Sequence, residues 1–186
     1  MNIATTIKAA PGNIPPPVYS FLRRAFLIFV AWKLVYHLFL FPAGIPDKPL
    51  TNITGIAAGH LYTQLTIANN YSFVAATSDT TNAVLWIDGQ RAIGIASSCN
   101  GLELFVLYTA FLFCIPTGLK RQVAFAVAGI VGIYILNCFR CFGLAWLFVN
   151  NYAFANFAHH YVFKMIIYGI IFYTWVIYSK KYYNAV

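Results

Sequence analysis

The stretch KRQVAFAVAGIVGIYILNCFRCFGLA, residues 120 to 145, decides the class of this protein. After its two basic residues, Arg140 is the single charged side chain in a long apolar run. Such a run supplies the ~20 residues that a helix needs to cross the hydrocarbon core of a bilayer. The composition agrees, since 61% of the residues are hydrophobic and 9% are charged, against about 45–50% and about 25% in soluble domains. The sequence therefore predicts an integral membrane protein.

Three further apolar stretches bring the prediction to about four membrane helices. One covers residues 21–41 and is followed by Pro42, a second covers 102–115 and is followed by Pro116, and the last covers 161–178. None of them contains a proline, as uninterrupted helices prefer. The predicted fold class is an all-α polytopic membrane protein. Its regions are an N-terminal tail, the first membrane helix, an outward-facing segment and the region of the other three helices (1–20, 21–41, 42–98 and 99–186).

Three pairs of basic residues predict how these helices are oriented. They begin the first helix, separate the second from the third and follow the fourth: Arg23-Arg24, Lys120-Arg121 and Lys180-Lys181. Basic residues concentrate on the cytoplasmic side of a membrane, so both termini are expected in the cytoplasm and segment 42–98 outside. The net charge of +8 is then explained by topology and by contact with the lipid bilayer, and no nucleic-acid partner is expected.

Segment 42–98 is predicted to form a small subdomain of an amphipathic helix and a β-hairpin. Within NAVLWIDGQRAIGIA, residues 82–96, Asp88-Gly89 separates two apolar runs. Asp-Gly in that position is a strong hairpin signal, because both turn positions tolerate positive φ. The hairpin leads directly to Cys99. Before it, residues 51–70 have the helical spacing of apolar residues that is typical of a helix lying on a membrane: Ile53, Ile56, Ala57, Leu61 and Leu65.

Polar side chains within or beside the apolar stretches are candidates for function, because charge is costly inside a membrane. Counted from Arg121 at about 1.5 Å per residue, Arg140 lies near the outer end of the third helix. His159 and His160 immediately precede the fourth helix, and Cys99 precedes the second. The predicted topology thus brings all four candidates to the outer face of the membrane.

The stretch SSCNGLELF, residues 97–105, carries a carboxylate into apolar sequence beside Cys99. Asn100 and Glu103 fit a capping box, in which the first side chain meets a helix amide and the carboxylate reaches back. Glu103 is therefore expected to close a helix terminus, with a second role in holding Arg140 or His160 left open. This arrangement places Cys99 beside the positive end of that helix.

A thiol, an imidazole and a guanidinium on one membrane face can support acyl transfer. The imidazole can remove the proton of the thiol and later return it to a leaving amine. A guanidinium is always charged and rich in donors, so it can stabilise the oxyanion of a tetrahedral intermediate. Cys99, Arg140 and one of the two histidines therefore predict a thiol acyl-transfer site that acts on peptide bonds.

Three short motifs stand at the outer ends of the last three predicted helices: Cys99-Asn100-Gly101, Asn137-Cys-Phe-Arg140 and His160-Tyr-Val-Phe. Together they resemble the exosortase/archaeosortase family of prokaryotic membrane transpeptidases. That family carries a cysteine followed one residue on by glycine, an Asn-x-x-Arg motif and a histidine, each at the outer end of a helix. The resemblance covers roughly residues 97–173.

Carried over by position, the resemblance implies a role for each motif residue. Cys99 would be the nucleophile, Arg140 the stabiliser of the oxyanion or substrate, and His160 the acid and base. His160 is preferred to His159 because the family usually has an acidic or polar residue before its histidine. The supporting residues would be His159, Asn137, Glu103, Asn100 and Gly101. No metal or cofactor is expected.

The resemblance also implies substrates and a location. Family members cut a C-terminal sorting tail, made of a short motif, a hydrophobic helix and a basic end, from membrane-anchored proteins at the outer face of a prokaryotic plasma membrane. They then pass the protein to an acceptor, and the acceptor and the choice between hydrolysis and transfer stay open here. The chain departs from many members in having fewer predicted spans and Lys164-Met165 where Gly-Trp follows the histidine.

An alternative function is that of a four-helix membrane thiol–disulfide oxidoreductase. The chain has four cysteines, and Cys138 and Cys141 form a C-x-x-C. Against it, both fall within an apolar helical stretch, where cysteines are most often small core residues.

A non-enzymatic alternative is a membrane assembly subunit whose aromatic surfaces pack against partner proteins. Aromatic residues make up 18% of the chain, which suits such a role. Aromatic belts at the two membrane interfaces explain them more simply.

Overall fold

A computed structural model of the protein describes residues 16–68, 70–77, 82–96, 99–115, 117–150 and 152–183. Helix α1 (Pro16–Val35) continues through a π-helical turn (Tyr36–Leu40) to a last turn (Phe41–Ala43). The outward segment contains α2 (Asp47–Leu65) and the strands β1 (Tyr71–Val74), β2 (Ala83–Ile87) and β3 (Gln90–Ile95). Then follow α3 (Leu102–Cys114), α4 (Leu119–Val149), a short turn (Ala155–Phe157), a second π-helical turn (Ala158–Val162) and α5 (Phe163–Tyr183).

The fold is mostly helical, as the sequence predicts, and three of its helical segments are long and apolar enough to cross a membrane. They are Val18–Ala43, Leu119–Val149 and Ala155–Lys180. A multi-pass membrane protein is therefore supported. The first segment runs past Pro42 and ends at Gly44, whose φ of 65° is left-handed.

The second predicted span, residues 102–115, is present as α3 with almost the predicted bounds, but it is short for a membrane span. Helix α3 has 13 residues, which corresponds to about 20 Å, against about 30 Å for the hydrocarbon core of a bilayer. It starts after Gly101, which has a φ of 92°, and the backbone of Ile115 at its other end is extended. Of the about four predicted membrane helices, three are therefore long enough to cross a membrane, and α3 is a shorter apolar helix.

Helix α4 is the central element of the fold. Its 31 residues extend over about 46 Å, so one helix serves both halves of the molecule. Near its first half, α3 and α5 join it in one apolar core of Tyr108, Leu112, Ile133, Ile167, Ile171 and Tyr178. Along its second half, Cys141, Leu144 and Ala145 pack against α2 and the sheet.

The strands form one antiparallel sheet in the order β1-β2-β3. The predicted hairpin is confirmed, because β2 and β3 pair around a turn in which Asp88 and Gly89 both have positive φ. Strand β1 was not predicted from the sequence. It pairs with the edge of β2 that faces away from β3. Leu85, Ile87 and Ile95 of the sheet are buried in the core formed with α2 and α4.

The predicted amphipathic helix is present as α2, but its buried face is small and polar. This face consists of Asp47, Thr51, Thr54, Gly55, Ala58, Gly59 and Tyr62. The rings of Phe73 and Tyr71 in β1 lie so close to Gly55 and Gly59 that a Cβ at either glycine would overlap them. The predicted apolar face is exposed at Ile53, Ile56 and Leu65, and its contact with a membrane stays a prediction.

Arg24 and Arg121, one from each of the first two predicted basic pairs, lie at one end of the helical bundle. Arg24 Nη1 donates to the Cys114 carbonyl at the end of α3, over 3.5 Å. Arg121 Nη2, at the start of α4, donates to the Tyr178 carbonyl near the end of α5, over 2.8 Å. Cations are favourable beside helix C-terminal carbonyls. Cys99 precedes α3 and therefore belongs to the opposite end.

The contact between α3 and α4 yields a test of the fold in two glycines of α4. A Cβ at Gly129 would overlap the buried ring of Tyr108, whose hydroxyl donates to the Phe125 carbonyl over 3.0 Å, whereas a Cβ at Gly132 would meet nothing within 4 Å. We expect Gly129→Ala to lower the free energy of unfolding by about 1–3 kcal/mol, the usual cost of overpacking. Thermal unfolding of the purified protein in detergent measures it.

Gly132→Ala is the matched control, because it makes the same chemical change on the same helix. It is expected to leave the free energy of unfolding unchanged or to raise it by up to about 1 kcal/mol, because alanine is the better helix former. Equal effects of the two substitutions would mean that Tyr108 does not pack on Gly129.

Candidate active site

A cavity of about 300 Å³ brings three of the sequence-predicted residues together. Cys99 lies at its edge before α3, Arg140 comes from α4, and His159 comes from the π-helical turn before α5. Residues 91–95 of β3 line it as well. The cavity therefore collects a thiol, a guanidinium and an imidazole from three separate parts of the chain.

Cys99 is the partly exposed one of the four cysteines, and Cys114, Cys138 and Cys141 are buried. None of the four, all in the described part of the chain, forms a disulfide. The backbone of Cys99 is held on both sides, because its N–H donates to the Ala96 carbonyl over 2.8 Å and its carbonyl accepts from Asn137 Nδ2 over 3.1 Å. The thiol thus has a fixed backbone and access to the cavity.

Arg140 is buried, and no carboxylate of the described residues forms an ion pair with it. Its residue exposes 8% of its surface, and Nη1 donates to Asn137 Oδ1 over 3.3 Å. Its Nε is buried with no acceptor in the described ranges. Among those residues the one ion pair is that of Lys33 and Glu103. A buried donor without an acceptor is costly, and such groups are often explained by a functional role.

The two adjacent histidines of the π-helical turn have different environments. His159 is half-buried and lines the cavity, and its Nδ1 is buried without a partner in the part of the chain described. His160 is exposed and is not among the residues that line the cavity. Successive residues of a helix point in different directions, so one of the pair faces Cys99 and Arg140. The geometry favours His159 for the role that the resemblance assigns to His160.

Asn100, next to Cys99, is held in a buried polar network. Asn100 exposes 1% of its surface, and its Nδ2 donates to Asp47 Oδ1 over 2.9 Å. Its Oδ1 accepts from the Leu102 N–H over 2.9 Å, at the start of α3. Tyr36 Oη donates to the other carboxylate oxygen of Asp47 over 2.8 Å. The segment before α3 is therefore tied to α1 and α2.

Position 101 requires glycine because of its backbone conformation and because Asn137 lies close to it. Its φ of 92° lies in the left-handed region, which side chains other than glycine rarely adopt. A Cβ there would also come within 3.4 Å of Asn137 Nδ2. The glycine thus lets the turn after Cys99 lie close to the side chain that holds the Cys99 carbonyl.

Glu103 does not have the capping role that the sequence analysis predicts. Because Gly101 is the N-cap of α3, Glu103 is the second helical residue, one position too early for a capping box. Its side chain is 72% exposed and lies 3.8 Å from Lys33 Nζ on α1. It lines a separate, mostly apolar cavity of about 470 Å³ between α1, α3 and α5. The capping prediction was therefore wrong for Glu103, which does not line the cavity with Arg140.

Sequence reasoning missed Asp47, Tyr36 and Arg91. Asp47 exposes only 6% of its surface and is one of just four acidic residues in the chain. That scarcity was an available signal, because a buried carboxylate is kept only where donors satisfy it. Arg91 lines the cavity from β3. Within the described residues, no three His, Cys, Asp or Glu side chains converge as metal ligands would.

No protein-family model, no curated protein and no solved structure matches this chain.

The contact between Asn100 and Asp47 can be tested by exchanging donor and acceptor. Asn100→Asp replaces the donor with a second carboxylate, and Asp47→Asn leaves one acceptor oxygen where Asn100 and Tyr36 use two. Each is therefore expected to lower the free energy of unfolding by about 1–3 kcal/mol. In the double variant, the amide introduced on α2 can donate to the carboxylate introduced before α3, so we expect recovery of more than half of the summed loss. Thermal unfolding in detergent measures all four proteins.

Losses that simply add in the double variant would contradict a direct contact, because residues that touch show coupling energies of about 0.5–3 kcal/mol. Tyr36→Phe is the matched control for the other oxygen of Asp47. It removes one hydrogen bond and leaves the coupling between Asn100 and Asp47 in place.

Proposed function

We propose that this chain is an exosortase-like cysteine transpeptidase or protease that cleaves C-terminal sorting signals of exported proteins. The observation that carries the proposal is the single cavity that Cys99, Arg140 and His159 line together. Nucleophilic catalysis by a thiol needs a base beside it and donors for the oxyanion. Thiol, imidazole and guanidinium meet these needs. Arg140 Nε and His159 Nδ1 have no partner among the described residues, which suits groups that bind a reacting substrate.

In the proposed reaction, His159 accepts the proton of the Cys99 thiol as the sulfur attacks the carbonyl carbon of the scissile peptide bond. The tetrahedral oxyanion that forms is stabilised by the positive charge of Arg140. When the carbon–nitrogen bond breaks, His159 gives its proton to the leaving amine and a thioester remains on Cys99. Water or an acceptor amine then attacks the thioester, which releases the thiol.

Asn137 and Asn100 act as positioning residues in this scheme. Asn137 contacts both the Cys99 carbonyl and the Arg140 guanidinium, so it sets the distance between nucleophile and cation. Asn100, the residue after Cys99, donates a hydrogen bond to Asp47, which fixes this part of the chain. Small errors in the position of reacting groups cost large factors in rate, which gives both asparagines a reason to be buried.

The position of the site along α4 suits a membrane-anchored substrate. Arg140 lies about 28 Å from Arg121 along the helix axis, close to the ~30 Å thickness of a hydrocarbon core. With the basic end in the cytoplasm, as the positive-inside rule requires, the cavity opens near the outer surface of the membrane. Both termini would be cytoplasmic, and the resemblance adds a prokaryotic plasma membrane as the location.

The thiol–disulfide alternative makes a different demand on the same cavity. Cys141 also lines it, and disulfide exchange requires two thiols that react with each other. Acyl transfer requires Cys99 alone. Cys141→Ser therefore separates the two chemistries, and an assembly subunit would require neither thiol.

Substitutions in the cavity are expected to stop processing while the protein still inserts in the membrane. Cys99→Ala removes the nucleophile and should abolish it. His159→Ala should slow it by about 10²–10⁴, the usual contribution of general acid–base catalysis. Arg140→Lys keeps the charge but loses the planar donor geometry, so a large loss is expected there too. The measurement is mass spectrometry of the C-termini of membrane-anchored surface proteins.

The matched controls are His160→Ala and Cys141→Ser, which are expected to leave processing within a few-fold of the native rate. Unchanged C-termini in cells with Cys99→Ala would overturn the proposed function. A loss in Cys141→Ser as complete as in Cys99→Ala would favour thiol–disulfide exchange instead.

A further inference from the structure

We infer that the free edge of β3 binds the substrate peptide as an added β-strand, which places its scissile bond at Cys99. The inference rests on the proposed function and adds how the substrate is held. The occupant is the extended segment that precedes the hydrophobic tail of the substrate.

Strand β3 lies at an edge of the sheet. It pairs with β2 along one side, and in the described ranges no strand pairs with its other side. An edge strand presents unpaired N–H and carbonyl groups. Peptides commonly bind by adding a strand to such an edge, with main-chain hydrogen bonds providing affinity.

The cavity at Cys99 runs along this edge. Successive side chains of a strand point to opposite faces, so a cavity over one face would touch alternate residues. Residues 91–95 all line it. A bulge at Ala92 interrupts the alternation, but Ile93, Gly94 and Ile95 pair regularly with β2 and still line the cavity consecutively. At about 3.3 Å per residue, they offer room for a short extended segment.

The strand also leads to the nucleophile. After Ile95 at the end of β3, the Ala96 carbonyl accepts the N–H of Cys99 over 2.8 Å. Gly94 is exposed in the strand, and a Cβ there would meet only Arg91, at 3.6 Å. Glycine in a strand often marks the close approach of another backbone. A peptide paired with β3 therefore has its reacting end beside the thiol.

The charge of the lining selects among peptide segments. Arg91, Arg140 and His159 line the cavity, and the lining contains no acidic residue among the described ones. Like charges brought together are unfavourable. The cavity thus fits the segment before the hydrophobic tail and disfavours a segment with basic side chains, such as the basic end of a sorting tail.

The test uses the purified full-length protein in detergent and the probe N-acetyl-tetraalanyl chloromethyl ketone. The Cys99 sulfur displaces chloride from the probe, so that a thioether forms, chloride leaves and the thiol proton passes to solvent. Four further probes each carry one N-methyl group, on one of the four amides. Mass spectrometry gives the rate of Cys99 labelling, divided by the rate with iodoacetamide to correct for thiol reactivity.

A peptide paired with a strand directs alternate amides towards it. We therefore expect N-methylation at alternate positions to slow labelling by about five- to tenfold, the value of one hydrogen bond, and the positions between to change it less than twofold. No effect at any amide, or equal effects at all four, would overturn the inference. Labelling by the peptide probe that is no faster than labelling by a chloromethyl ketone without the peptide would also overturn the inference. That result is expected if a second copy of the chain already covers the edge of β3.

A probe with one lysine in place of an alanine tests whether the positive charge of the cavity disfavours basic peptide side chains. It should label Cys99 about two- to fivefold more slowly than the alanine probe, as expected for partly exposed charges. Arg91→Gln should remove most of that difference, while Arg23→Gln, at the basic end of the bundle, should leave it unchanged. A difference that persists in Arg91→Gln would overturn the role of Arg91.

Labelling by a chloromethyl ketone does not require processing, so the two proposals can fail separately. Normal processing in cells with Cys99→Ala would end the proposed function and leave peptide binding at β3 intact. Absence of the alternating pattern together with loss of processing in Cys99→Ala would end the strand proposal alone.

Discussion

Two hydrogen bonds, one buried and one partly buried, hold the segment at Cys99 and Asn100, and the rest of the site depends on them. Asn137 on α4 donates to the carbonyl of Cys99, and Asp47 on α2 accepts from the side chain of Asn100. Each bond joins parts of the chain that have no local reason to meet. Because polar contacts are stronger where water is excluded, and costly when broken, they fix where α3 starts relative to α4.

Helix α4 converts this local order into a site. Its first half packs in the apolar core with α3 and α5, and its second half supports the sheet. Asn137 and Arg140 lie between these halves, one helical turn apart, which puts them level with the end of β3 and the turn that carries His159. The cavity therefore lies at the junction of an apolar bundle and a more polar subdomain, with one rigid helix as its common wall.

The features that could be predicted from the sequence are those with a local physical signal. Apolar length indicates the long helices, Asp88-Gly89 indicates the hairpin, and the basic pairs indicate which helix ends lie together. Contacts between distant residues carry no such signal, so the bond from Asn100 to Asp47, 53 positions apart, was not predicted. The same holds for β1 and for Arg91. No local signal in the sequence distinguishes His159 from His160. The π-helical turn does, because it places His159 in the lining of the cavity and leaves His160 exposed.

Helix α3 has a consequence for the surrounding lipid. In the proposed topology, the ~20 Å of α3 beside the ~46 Å of α4 would create hydrophobic mismatch on one side of the molecule, to which a bilayer adapts by thinning locally. Headgroups and water would then reach down to the level of Cys99 on that side. Under the proposed function, a peptide anchored in the membrane would then meet the thiol by lateral diffusion, with its hydrophobic tail still immersed in lipid.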